Sequence, residues 1–108
     1  MHTLAQLQSG ELQGITRLQL SEGLTEFPLE ILSLADSLEI LDLSNNQLTT
    51  LPIEIAQLPK LKIFFASKNP FTVFPDVLAQ CQHLEMIGFK SCQISMFLKT
   101  LFRQNCVG

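Results

Sequence analysis

The apolar residues of this chain recur in four phased blocks that start at Ile15, Leu38, Leu61 and Leu84, each 23 residues after the last. The second and third blocks read LEILDLSNNQLTTLPIEIAQLPK and LKIFFASKNPFTVFPDVLAQCQH. A period of this length means that one short structural unit repeats and that neighbouring units bury a continuous core between them. Positions 1, 4 and 6 of a block are apolar: Leu38, Leu41 and Leu43, then Leu61, Phe64 and Ala66, then Leu84, Ile87 and Phe89. The alternation at positions 4 and 6 predicts half-buried strands near 17–20, 40–43, 63–66 and 86–89. They are expected to stack in parallel with right-handed connections.

Position 9 carries Asn46, Asn69 and Cys92. There the chain must bend away from the sheet and leave backbone groups unpaired. A stacked side-chain amide, or more weakly a thiol, can bond them across neighbouring repeats, so these three residues form the expected structural ladder. Beyond the bend, Leu48, Leu51, Ile55 and Leu58, and likewise Phe71, Phe74, Leu78 and Cys81, wrap the far side of the core. Pro52 and Pro75 fix extended backbone there, which predicts short turns rather than long helices. The first block carries Gly23 in place of the asparagine, and the ladder is expected to be weakest there.

The fold class that follows is an α/β repeat solenoid: a short parallel sheet on one side, turns or short helices on the other. Its domains are an N-terminal cap over residues 1–14, with Leu4, Leu7 and Leu12 facing the first repeat, and four repeats over 15–97. A non-repeat tail follows over 98–108. There Phe97, Leu98, Leu101 and Phe102 have helical spacing and suit a C-terminal cap.

The blocks match the leucine-rich-repeat pattern LxxLxLxxNxLxxLPxxIxxLxx of the cytoplasmic 23-residue type. More specifically, LQSGELQG, ITRLQLSEGLTEFPLEI, LADSLEILDLSNNQLTTLP and QCQHLEMIGFKSCQI resemble the N-terminal repeat region of bacterial leucine-rich-repeat protein kinases. The resemblance runs over about residues 4–97 and stops at Leu98, where LKTLFRQNCVG begins. It implies a protein-interaction or kinase-regulating role, and it makes the tail an expected out-of-frame ending of a longer repeat protein. The kinase sequence elements themselves are absent: no glycine-rich phosphate loop, no His-Arg-Asp and no Asp-Phe-Gly occur.

Composition narrows the function classes. The 108 residues are 46% hydrophobic and 16% charged, which excludes intrinsic disorder. A net charge of -3 with no basic run argues against nucleic acid, and no apolar run reaches the roughly 18 residues of a membrane span. The N-terminus lacks a signal peptide's basic start and apolar core. Three cysteines without metal-ligand spacing, and no Asn-x-Ser/Thr site, fit a reduced cytoplasmic setting. Residues 1–58 hold one base, Arg17, against eight acids, whereas 59–108 hold six bases against Asp76 and Glu85. This is either drift along a short chain or a bipolar surface that favours pairing of two copies as a homodimer.

Catalytic chemistry finds no constellation. His2 and His83 lie far apart and read as solvated loop histidines. Cys81 stands where the repeat wants leucine and reads as a small buried hydrophobe, inert because burial disfavours the thiolate. Glu39, Asp42 and Glu85 are spaced by the repeat and not paired as a hydrolase needs. No enzymatic activity, metal or cofactor is expected. Binding of a protein or peptide on the outer, concave face of the sheet is the natural use. Ile40, Ile63 and Met86 should form one exposed apolar column, with Phe65 beside it, a recess at Gly88, and Asp42, Lys68 and Lys90 orienting the partner. The alternative is that these apolar residues only reflect strand propensity.

Overall fold

The computed structural model describes residues 1–90; Cys92, the end of the fourth repeat and the expected cap over 98–108 lie outside the described residues. The helix α1 (Leu4–Ser9) precedes the strands β1 (Arg17–Gln19), β2 (Ile40–Asp42), β3 (Ile63–Phe65) and β4 (Met86–Gly88). The strands form one four-stranded sheet in chain order, and each pairs in parallel with the next. Three 3-10 helices, Leu29–Leu34, Ile53–Gln57 and Asp76–Gln80, stack on the opposite side. Each follows a proline in extended conformation, Pro28, Pro52 or Pro75. The proline holds φ near −65° and stops the bend from continuing as strand, and the tight 3-10 turn brings the chain back within one repeat.

The core lies between the sheet and these turns. Leu18, Leu41, Phe64 and Ile87 stack through it at strand position 4, with no more than 1% of any side chain exposed. One column beyond, Leu20, Leu43, Ala66 and Phe89 are also buried, and here the third repeat is under-filled by its alanine. Phenylalanines make up the volume. The Phe89 ring lies 5.4 Å from those of Phe71 and Phe74 and 6.2 Å from that of Phe64, and the Phe64 and Phe71 contacts are edge-to-face. Such pairs keep the interior close-packed despite the small residue.

The N-terminal segment closes the open edge of the sheet. Thr3 and Gln6 form a reciprocal capping box at the start of α1, and Gly10, at φ 85°, ends the helix in the left-handed conformation. Leu7 and Leu12 are buried against the first repeat. The Glu22 carboxylate accepts the Leu4 N–H at 2.6 Å and ties the helix start to the bend of repeat 1. His2 departs from the solvated-loop expectation. Its backbone N–H donates to the Gln19 carbonyl at 2.9 Å, and its Nδ1 accepts the Gln19 N–H at 3.2 Å. The imidazole thus replaces a strand carbonyl on β1, whose edge would otherwise offer unpaired groups to another chain. His83 is exposed.

The ladder runs in one direction, from each asparagine to its own turn and to the one before. Asn46 donates to Leu43 O of its own repeat at 2.8 Å and to Leu20 O of the preceding one at 2.9 Å, while its Oδ1 accepts the N–H groups of Glu22 and Leu24, both at 3.0 Å. Asn69 repeats this one turn later with Ala66 O, Leu43 O and the Leu48 N–H. Each asparagine therefore serves the bend before it. Gly23, left-handed at φ 69°, adds no rung of its own, and Asn46 supplies the bend of repeat 1.

Two stability outcomes follow. Leu41→Ala and Phe64→Ala should each lose about 2–5 kcal/mol by urea denaturation, and wild-type stability in either would contradict the packing. Asn69→Ala should lose at least about 1–3 kcal/mol, because it strands buried backbone groups in two repeats; a neutral result would show that water replaces the amide.

Candidate functional site

Strand register builds the outer face of the sheet. Arg17 pairs with Ile40, Ile40 with Ile63, and Ile63 with Met86. In the next outward column Gln19 pairs with Asp42, Asp42 with Phe65, and Phe65 with Gly88. Ile40, Ile63 and Phe65 are half-buried, and Met86 is 37% exposed. The four expected apolar residues therefore share one face on three successive rungs. Gly88, paired with Phe65 on the neighbouring strand, is itself buried.

The expected charged residues lie at the end of the strands. One Asp42 oxygen, Oδ1, accepts the Ser44 N–H at 3.0 Å and is committed to its own turn. Lys68 and Lys90 are exposed and stand on neighbouring rungs, the Lys68 N–H donating to Lys90 O at 2.8 Å. Lys68 adopts φ 58° and Asn45, its counterpart one repeat earlier, φ 63°. Asparagine tolerates this left-handed conformation, whereas a lysine there carries roughly 1 kcal/mol of strain. Glu39 and Lys62, at the opposite end of the strands, approach to 3.7 Å, but with about half of each side chain exposed the pair contributes little.

Cys81 is buried, its sulfur 3.9 Å from Ile55 O and Val77 O, and desolvation pushes its thiol pKa up. Gln8 donates to Glu30 at 3.0 Å and holds that carboxyl below its ordinary value, linking α1 to the first 3-10 helix. Among the described residues no three His, Cys, Asp or Glu side chains gather closely enough to hold a metal ion. No helix among them is long and apolar enough to cross a membrane.

Sequence reasoning placed every candidate on the sheet and missed the opposite face. Leu29, Ile53 and Val73 are 54%, 65% and 62% exposed there, well above Met86. The signal was present, since all three are apolar where the repeat pattern specifies nothing.

A stack of 23-residue turns, with a parallel sheet on one side and buried asparagines at successive bends of the second and third repeats, is the leucine-rich-repeat fold. A leucine-rich-repeat family model matches residues 37–58, which cover the second repeat. A leucine-rich-repeat protein of Leptospira interrogans matches with a TM-score of 0.75 and 35% identity, over 94% of this chain and 26% of that one. The ectodomain of the Arabidopsis thaliana receptor kinase SOBIR1 matches with a TM-score of 0.55 and 27% identity, over 72% of this chain and 44% of its own length. The plant peptide hormone receptor RGFR1, solved in complex with RGF2, matches at 0.61 and 23% identity over 82% and 15% of the two chains, a likeness of fold. The chain thus spans about a quarter of the Leptospira protein and under half of the SOBIR1 ectodomain. Repeat domains of this fold are generally non-catalytic scaffolds that recognise other proteins.

Burial of Cys81 has a direct readout. In native protein at about neutral pH its alkylation by iodoacetamide, followed by peptide mass mapping, should be far slower than in urea. Equal rates would contradict its position in the core.

Proposed function

We propose that the outer face of the sheet binds another protein or peptide, anchored on Ile40, Ile63, Phe65 and Met86 and oriented by Asp42, Lys68 and Lys90. The observation that carries this reading is the register, which sets Ile40, Ile63 and Met86 in one column with Phe65 beside it. Large apolar anchors supply most of the affinity at such sites, and nearby charges set orientation and specificity. The left-handed Lys68 supports it further, because glycine or asparagine would hold that backbone with less strain. No role in catalysis is assigned to any residue, and a reducing, cytoplasmic setting is part of the same reading.

A second reading rests on the sequence resemblance: a regulatory repeat region that acts on a kinase. A kinase reading frame next to this one in the gene would favour it. Pairing of two copies through the acidic and basic halves is the third use of the surface, and sedimentation that finds only monomer at about millimolar concentration would remove it.

The test of the main reading uses peptides selected from a random display library against the chain. Phe65→Asp should abolish their binding, whereas Gln57→Ala, on the other side of the solenoid, should leave it unchanged. Lys68→Gly should weaken binding while leaving the folding stability equal or up to about 1 kcal/mol higher. Peptides that bind wild type and Phe65→Asp alike would remove the sheet face as the site.

A further inference from the structure

The turn side of the solenoid carries a second surface. Five large apolar side chains are exposed among the described residues, and three of them, Leu29, Ile53 and Val73, lie on this side. Leu29 and Ile53 occupy the same place on successive turns, each the first residue of its 3-10 helix and directly after Pro28 or Pro52. Val73 stands two residues before Pro75, the place taken by Thr50 and Glu26 in the preceding turns. Between the first two turns runs an open groove of about 290 Å³, lined by Thr25, Phe27, Leu29, Thr50 and Pro52 with Glu26 and Glu54 at its rim. Phe27 is buried and forms an apolar floor.

The charge around it has one sign. No lysine or arginine occurs between Arg17 and Lys60, while this stretch holds seven acids, and Glu26, Glu30 and Glu54 stand beside the exposed apolar residues. Asp76 continues the Leu29–Ile53 column on the third turn. Single exposed leucines need no explanation, but apolar groups repeated on adjacent turns and framed by uncompensated carboxylates select one kind of occupant. An acidic segment would be repelled, and a neutral apolar one would leave the carboxylates desolvated without partners.

We propose that this face docks a cationic amphipathic segment of a partner protein, its apolar residues on Leu29, Ile53 and Val73 and its Lys or Arg side chains on Glu26, Glu54 and Asp76. The surface is separate from the sheet face, so one chain can hold two partners.

The probe is a synthetic peptide of alternating Leu and Lys, with a Leu/Glu peptide as its control, measured by fluorescence anisotropy. Wild type should bind the Leu/Lys peptide, and Ile53→Glu and Glu54→Lys should each weaken binding at least about tenfold. Both substitutions are on the surface, and unchanged thermal melting confirms the fold. Phe65→Asp should bind as wild type does. Three outcomes overturn the proposal: equal affinity for the Leu/Glu peptide, loss with Phe65→Asp but not Ile53→Glu, or an Ile53→Glu effect confined to sedimentation mass, which would make a second copy the occupant.

Discussion

The described repeats depend on two side-chain amides, Asn46 and Asn69, that bond backwards as well as within their own turns. Where the chain leaves the sheet, carbonyls at the strand end and N–H groups of the bend are left without partners from the strands. Asn46 and Asn69, each 2% exposed, answer these groups in two repeats at once. An unpaired buried backbone group costs roughly 1–3 kcal/mol, so one asparagine holding three or four of them is among the most consequential polar residues in the fold. Among the described residues no buried side-chain nitrogen or oxygen lacks a partner. The ladder also couples neighbours, because removing one amide opens the bend of the preceding repeat as well as its own.

The hydrophobic core then follows the same one-dimensional logic. Each turn packs on the turns before and after it, so an irregular residue must be corrected locally. Beside the small Ala66 column position, the rings of Phe64, Phe71 and Phe74 all pack on that of Phe89. A solenoid has no central core to absorb such a defect, and this is why the aromatic residues gather in the third repeat and its neighbour. At the first turn the same problem takes a polar form. There is no earlier repeat to pair with β1, and His2 supplies a backbone donor and a ring acceptor to Gln19 in its place.

The period made much of this legible before any coordinates. It fixes which residues point inward, and the strand positions and register follow from it almost residue for residue. What the period could not show is direction and substitution. It marks Asn46 as a ladder residue without saying that the bonds run back to Leu20, Glu22 and Leu24, because a repeat pattern is symmetric between its two neighbours. It has no template for an imidazole standing in for a peptide carbonyl. It also leaves variable positions unread, so Leu29, Ile53 and Val73 passed as ordinary turn residues although the structure exposes more of each than of any apolar residue on the sheet. The outer-face columns were legible through register alone, but the burial of Gly88 was not, since a residue without a side chain gives no pattern.

The two proposed surfaces, on opposite sides of one stack, raise the question of whether they would communicate. Coupling needs an element with two discrete packings that both sites bias. The layer between the faces is the buried leucine and phenylalanine core, with its asparagines bonded, and close-packed interiors of this kind resist rearrangement. On the strands the proposed sheet-side anchors alternate with core residues, and on the other side Leu29 and Ile53 each begin a 3-10 helix that carries buried residues. A ligand on either face therefore meets a surface already formed and has little to reorganise. Binding on the two sides should be additive, which suits a scaffold that joins partners by proximity rather than one that switches between states.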